Sequence, residues 1–387
     1  YGNGGGILCD GGSSPSLAGC TISNCGTGGY GYDYVGGGGL ACLNGSNATL
    51  TECSIEQNAG AGLACYHASP VLSRCTISGN EGEFVGGIYC DHSSPVLKDC
   101  IFADNTGEYA TAILCEWYSY PEFTACRITG SSSSDLPAIM CRGAASPTLA
   151  SCLIDDPAGL WAQSYGYPLI RNCTFTGRVT SSHFSDIELQ SSIVWPAQLW
   201  AYTLAGIPAQ LSISYCDVQG GEAAVQVDPG STLSWGEGNI DADPQFVAPA
   251  GPDGNPATWQ DNDYHLSAGS PCIDAGVPGY AALPDDTDID DQYRVWQDGP
   301  GTSGRVDMGA DEFGAPNFGD LNCDGAINGY DIDPFVLALT DPLAYAAEYP
   351  ACASILADLN GDGAVNGYDI DPFVSRLTGG QGAEGRN

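Results

Sequence analysis

Two stretches near the C-terminus carry oxygen-bearing side chains at a spacing that wraps one chain around a hard cation. Asp320, Asn322, Asp324, Asn328 and Asp331 recur 38 positions later as Asp358, Asn360, Asp362, Asn366 and Asp369. These fall at positions 1, 3, 5, 9 and 12 of a twelve-residue loop, with Ala326 and Ala364 placed to give a carbonyl at position 7. Gly325 and Gly363 stand at position 6, where the loop turns sharply. Calcium takes six to eight such oxygens, so two calcium ions are the expected metal content. An aspartate replaces the usual glutamate at position 12. Near-identical segments follow each loop, Ile332–Thr340 and Ile370–Thr378, and are expected as helices.

The remaining candidates for chemistry are weaker. Asp91 and Glu116 follow aligned cysteines in successive repeats, and Asp99 and Asp104 lie close by in sequence. Paired carboxylates of that kind serve glycoside hydrolysis. With 47 acidic residues in the chain, however, such proximity arises without function, and no catalytic residue is assigned. A lyase needs a base beside metal-binding aspartates. Arg74, Lys98, Arg127, Arg142, Arg171 and Arg178 are the basic residues in the repeats, and the column holding Arg74 and Lys98-Asp99 varies as solvent decoration does. His67 and His92 align as turn residues rather than as a metal pair. Gly26–Gly31 fits G-x-G-x-x-G but precedes no helix, so no dinucleotide site is expected. The run Asp285–Asp291 reads as an acidic surface loop with room for a further calcium. Asn44, Asn47 and Asn172 sit in glycosylation contexts. The aromatic residues Trp117, Tyr118, Trp161, Trp195 and Trp200 look scattered.

The whole chain narrows the partners. Its 387 residues carry a formal net charge of −37 with one lysine, Lys98, a field that repels phosphate backbones and anionic lipid. Neither nucleic-acid binding nor membrane insertion is expected. At 43% hydrophobic residues the chain has enough apolar side chains to fill an interior, which excludes disorder. Eighteen cysteines without a C-x-x-C pair argue against zinc ribbons and for an oxidising, extracellular or cell-surface location. The opening residues Tyr1, Gly2 and Asn3 carry no leader pattern, consistent with a mature or trimmed chain.

What positions these residues is a repeat. A small residue, Ile or Leu, any residue and Cys recur at Gly6–Cys9, Gly39–Cys42, Gly62–Cys65, Gly87–Cys90, Ala112–Cys115 and Ala138–Cys141. A second cysteine follows each: Cys20, Cys53, Cys75, Cys100, Cys126 and Cys152. The step is mostly 22 to 26 residues, widening to 33 across Gly26–Gly39. Short strands punctuated by Gly and Ser-Pro turns at this period make a coil of parallel strands. Weaker repeats continue through Pro168–Phe175, Ile187–Trp195 and Leu211–Val218, giving nine or ten rungs and, at ~4.8 Å each, a rod of roughly 45 Å. Asn58, Asn80 and Asn105, with Cys25 and Ser131 in the same column, are expected to hydrogen-bond from turn to turn.

The text of Gly86–Cys100 resembles the right-handed parallel β-helix repeats of the pectate-lyase-like superfamily. Asp243–Val247, Asp263–Leu266, Ser270–Gly276 and Val306–Phe313 then follow in the order seen in secreted bacterial β-helix proteins with exchangeable anchoring tails. The duplicated loop-plus-helix units resemble a dockerin domain, as in cellulosome-type and planctomycete-like secreted proteins, and every calcium-ligand position of that motif is filled. Gly329-Tyr330 and Gly367-Tyr368 depart from the Ser/Thr pairs of familiar dockerins, which puts a conventional cohesin partner in doubt. The expected fold is therefore all-β: a right-handed parallel β-helix (solenoid) with a small α-helical dockerin-like calcium-binding domain at the C-terminus. Rungs occupy 1–246, a capping extension 247–315, the dockerin-like unit 316–380 and a tail 381–387.

Cys323 and Cys352 lie outside the rung columns and are expected to bridge the two calcium loops. Rung-by-rung disulfides, Cys9–Cys20 through Cys141–Cys152, are narrowly favoured over two columns of buried thiols. Because the sequence starts in the middle of a rung, an uncovered edge is expected to pair head-to-tail with another copy, assisted by calcium. The favoured role is a secreted structural or adhesive protein, a subunit of an extracellular fibre or surface layer, whose tail contacts other copies or a cohesin-like scaffold. The alternative is a polysaccharide-active enzyme, lyase or glycoside hydrolase, carried on the same tail. The sequence leans against catalysis.

Overall fold

The computed structural model describes residues 5–26, 36–130, 135–196, 198–256, 258–280, 286–294, 305–350 and 352–378. Each rung contributes one strand to each of three parallel sheets, as in Ile88–Asp91, Val96–Lys98 and Ile101–Ala103. Among the described residues the first and second sheets have ten strands and the third has nine. The chain is thus an all-parallel β-solenoid, followed by a few short helices between 329 and 377.

Register explains the repeat. Cys42 pairs with Cys65, Cys65 with Cys90, Cys90 with Cys115 and Cys115 with Cys141, so one residue type recurs in line up the rod. Side chains alternate across each strand, and the cysteine and its Ile or Leu neighbour two residues away both point inward. Leu40, Cys42, Leu63 and Cys65 are completely buried. The expected asparagine column is present. Asn58 Nδ2 donates to Asn80 Oδ1 at 2.9 Å, and Asn80 Nδ2 donates to Asn105 Oδ1 at 3.0 Å. Cys25 joins through its backbone N–H, which donates to Asn58 Oδ1 at 2.9 Å. Ser131, most of the glycine-rich Gly26–Gly31 stretch, Asp285 and the 381–387 tail lie outside the described residues.

The rung cysteines differ from the expected bridges: Cys9, Cys20, Cys42, Cys53, Cys65, Cys75, Cys90, Cys100, Cys115, Cys126, Cys141 and Cys152 all stand as thiols. The first column lies on first-sheet strands and the second in the turn between the second and third sheets, and the neighbours of each sulfur lie above and below it rather than across the rung. Cys152 N–H donates to Cys173 Sγ at 3.4 Å, and Ser192 continues that column by accepting from Cys173 N–H at 3.1 Å. Cysteine serves here as a small apolar residue that also accepts a weak hydrogen bond. The high cysteine count therefore reflects core packing.

Beyond the last rung the chain folds back over the outer face of the third sheet. Leu266, Cys272 and Met308 pack with Ile193 of that sheet. Polar latches reinforce them: Asn172 Nδ2 donates to Asp307 O at 3.2 Å, and Ala310 N–H donates to Thr174 Oγ1 at 3.0 Å. Asn172 is consequently buried, which closes it to glycosylation.

The C-terminal unit has its own small core. Helices α1 (Ile332–Thr340), α2 (Pro342–Glu348) and α3 (Ile370–Leu377) surround it. The Phe335 and Phe373 rings stack at 4.1 Å, joining the two duplicated halves. A disulfide links Cys323 to Cys352, whose Cα atoms are 5.9 Å apart. No helix among the described residues is long and apolar enough to cross a membrane.

Candidate functional site

The folded-back segment does not lie flat on the third sheet. Between them runs a cleft of about 960 Å³. One wall comes from residues at the ends of third-sheet strands on successive rungs: Asp104, Gly130, Asp155, Thr176 and Trp195. Five rungs at ~4.8 Å spacing make this wall roughly 19 Å long. The facing wall holds Asp243, Phe246, Trp259 and Tyr264.

Asp155 anchors the cleft. Its Oδ1 accepts from Thr176 Oγ1 at 2.8 Å and from the Tyr264 hydroxyl at 2.9 Å, and its Oδ2 accepts from Asn262 Nδ2 at 3.0 Å. Burial, and then the charge of Asp155, push the Tyr264 phenol well above its usual range, so it remains a donor. Opposite Asp104 the rung carries Gly130 in the left-handed region, φ +71. A Cβ there would lie 2.4 Å from Asp104 Oδ1 and 2.8 Å from Trp259 Nε1, so only glycine lets both groups close over this corner. The buried Trp259 Nε1–H has no acceptor among the described residues.

The candidates read from sequence separate in space. Asp91 and Glu116 are register partners on adjacent strands of the first sheet. Glu116 is buried, paired with Arg142, and accepts from the Tyr89 hydroxyl at 2.7 Å. That carboxylate is consumed by packing, and the pair is not an open catalytic dyad. Asp104 does reach a site, at the end of a third-sheet strand rather than on the first sheet. Lys98 and Arg127 face the acidic run: Lys98 Nζ is 3.7 Å from Asp291 Oδ1, and Arg127 is 3.3 Å from Asp290 Oδ1. The run is therefore no loose surface loop. Its Asp288 is fully buried, and burial followed by repulsion from Asp290 and Asp311 pushes that carboxyl up to about 8.

His265, Asp290 and Asp311 bring nitrogen and carboxylate atoms within 4.8 Å of one another. The hydrogen bond to Asp290 pushes His265 up to about 10. Its imidazolium and Arg127 meet these acids as cations, and the cluster works as a clasp between the extension and the third sheet.

The two C-terminal loops repeat each other closely. Asp331 Oδ1 accepts from Leu321 N–H at 2.7 Å, and Asp369 Oδ1 accepts from Leu359 N–H at 2.9 Å. Gly325 and Gly363 take φ of +88 and +83, the left-handed turn that position 6 requires. Asp320, Asp331, Asp358 and Asp369 are buried, and none has a side-chain cation partner among the described residues. Burial raises the Asp320 and Asp358 carboxyls. Buried like charges with an all-oxygen donor set fit a divalent cation, which would neutralise them. Asn322, Asp324, Ala326 and Asn328, with Asn360, Asp362, Ala364 and Asn366, complete the two sets.

Sequence reasoning missed the cleft because its walls are far apart in the chain. The signal available was the aromatic content of the segment after the last rung, Phe246 at its boundary and Trp259 and Tyr264 in the stretch read as a cap. Among known proteins, a family model described as a right handed beta helix region matches residues 1–134. No curated protein matches the chain. The chain is a right-handed parallel β-helix, similar over residues 1–134 to that family.

Proposed function

We propose that this protein is a secreted adhesive β-helix that holds an extended saccharide chain in the cleft over its third sheet. In this reading the C-terminal unit, carrying two calcium ions, fixes it to a scaffold. The cleft carries the reading. It is elongated along the rod and lined by Trp195, Phe246, Trp259 and Tyr264 beside Asp104, Asp155 and Asp243. Aromatic faces take the C–H faces of sugars, and carboxylates and the indole N–H take their hydroxyls. Both Asp155 oxygens are already occupied by protein donors, which favours binding over acid–base chemistry.

The tail supports the anchoring half. Tyr330, Ile332 and Val336 are exposed beside the first loop, and Tyr368, Ile370 and Val374 repeat them beside the second. Tyr330 and Tyr368 are each 80% exposed, a cost that a protein partner would remove.

Calorimetric titration of the full chain with soluble oligosaccharides, with product analysis in parallel, tests the proposal. Saturable binding that Trp259→Ala abolishes, without release of new sugars, is expected. Absence of binding across neutral and acidic oligosaccharides overturns the adhesive reading, and catalytic release of sugars replaces it with the enzymatic alternative. Sedimentation in millimolar calcium separates the partners. A monomer at all concentrations fits a foreign scaffold, whereas growth with concentration fits contact between copies.

A further inference from the structure

We infer that the corner between the first and second sheets is a second carbohydrate-contacting surface, one that takes a neutral polysaccharide laid along the rod axis. The inference is independent of the cleft. In a three-sided solenoid this corner lies opposite the third sheet, so the two surfaces face away from each other.

The observation is a ladder of rings. His67, His92, Trp117, Tyr118, Tyr165 and Phe184 all occupy this corner on successive or near-successive rungs. All six are exposed; Trp117 is 53% and Tyr118 58% accessible. Ring centroids lie 4.7 Å apart from His67 to His92 and 5.9 Å from His92 to Tyr118. Tyr165 and Phe184 stack at 5.1 Å. Between these groups one rung has Gly143 and Ala144 at the corner. The Trp117 ring fills that gap, since a Cβ on Gly143 would sit 3.2 Å from its Cε3. From His67 to Phe184 the ladder spans five rung steps, roughly 24 Å at ~4.8 Å per rung.

The backbone supplies a second, independent observation. All six residues are in the left-handed region, with φ between 38 and 68. Trp117, Tyr118, Tyr165 and Phe184 are ill suited to it, whereas glycine, asparagine and histidine adopt it readily. The corner between the second and third sheets uses the same left-handed geometry, yet carries Glu52, Arg74, Asp99 and Ser151 there. Tyr215 is the one ring among the left-handed residues described at that corner, so the fold does not ask for rings, and only the corner between the first and second sheets stacks left-handed rings from rung to rung. Strain maintained at exposed positions points to a ligand.

The occupant follows from shape and charge. The advance per rung is close to the advance per sugar in an extended β-linked glycan, so successive rings meet successive sugar faces. With a net charge of −37 the protein repels polyanions and anionic membranes, which leaves a neutral chain.

Co-sedimentation of the full chain with insoluble cellulose, chitin and xylan tests the inference. Retention on at least one is expected, and the double variant Trp117→Asn, Tyr118→Asn should lose at least tenfold in retention. Because asparagine suits the left-handed corner, that variant should melt no lower than the parent, which separates lost binding from lost folding. Phe184→Asn is the second probe and should behave alike. The same asparagine pair should cost a comparable fold in retention when placed in the Trp259→Ala background, so failure of one site is told from failure of the other. Retention of the ladder variants equal to the parent, or no retention of the parent on any of the three, overturns the proposal. So does a ladder variant that abolishes self-association in sedimentation velocity while leaving retention intact, because the occupant is then a second copy.

Discussion

The Tyr264 hydroxyl donates to the Asp155 carboxylate at 2.9 Å, joining residues 109 positions apart. This contact, with the Asn262 amide 3.0 Å from the other carboxylate oxygen, fixes the outer wall of the cleft against the third sheet. A hydrogen bond to a charged group contributes about 1.5–3 kcal/mol. Tyr264→Phe should therefore loosen the wall, weaken oligosaccharide binding about tenfold and lower the melting temperature. Titration calorimetry beside a thermal melt reads both. Unchanged affinity with a lowered melting temperature would show that the wall is structural only.

Calcium should bind the tail with a stoichiometry of two. Asp331→Asn keeps an acceptor for Leu321 N–H but removes a charge from the first loop, and should reduce the stoichiometry to one. Asp369→Asn should do the same in the second loop. At a hundredfold excess over Kd, one ion adds about 2.7 kcal/mol to the stability of its loop. Chelation should reduce the far-ultraviolet helical signal, and a full signal after chelation contradicts the assignment.

Stability without calcium should fall as pH rises from about 5 to 10. Asp288, pushed up to about 8, and Asp217, pushed up to about 6, hold protons in the folded chain that the unfolded chain releases near 3.8. Folding is thus favoured at low pH, and that advantage is lost as pH climbs to about 8. His265 is raised from 6.5 to about 10, so its stabilising charge is fully present below 6.5 and disappears through 10. Both kinds of group act in the same direction. Thermal melts in chelator should show the decline, and His265→Gln should flatten the limb above pH 7. A flat or rising profile between pH 6 and 9 sinks this account.

Thiol reactivity should follow the columns. Cys20 and Cys25 are partly exposed, while the other fourteen free cysteines are buried. Two thiols should react quickly in the native protein, and all sixteen after unfolding under non-reducing conditions. Burial raises the Cys42 thiol, and the hydrogen bond with Cys126, followed by burial, raises Cys100, which slows attack further. A count well below sixteen means that bridges have formed between rungs. Cys126→Ser should be tolerated far better than Cys126→Val, since Ser192 already occupies the column and a larger side chain overpacks it.

The sequence by itself determined everything that repeats. A parallel coil returns the chain to the same register each turn, so a stacked property is visible as a period. The Cys columns, the Asn58–Asn80–Asn105 ladder and the paired Asp/Asn loops were all legible for that reason. The helices after those loops were too, because a twelve-residue loop of that spacing is a local arrangement. Tertiary structure decided what depends on separation across the chain. Whether Cys9 and Cys20 bond depends on the distance between two sheets, which a period does not encode. Asp91 and Glu116 looked like a pair and are neighbours, but Arg142 and Tyr89 engage Glu116 from adjoining strands. Trp117, Tyr118, Tyr165 and Phe184 seem scattered along the chain because rung lengths vary, and only coiling brings them to one corner. The cleft is the extreme case. Asp155 and Tyr264 meet only because the extension, lacking a large apolar core of its own, covers its hydrophobic face by folding back over the third sheet.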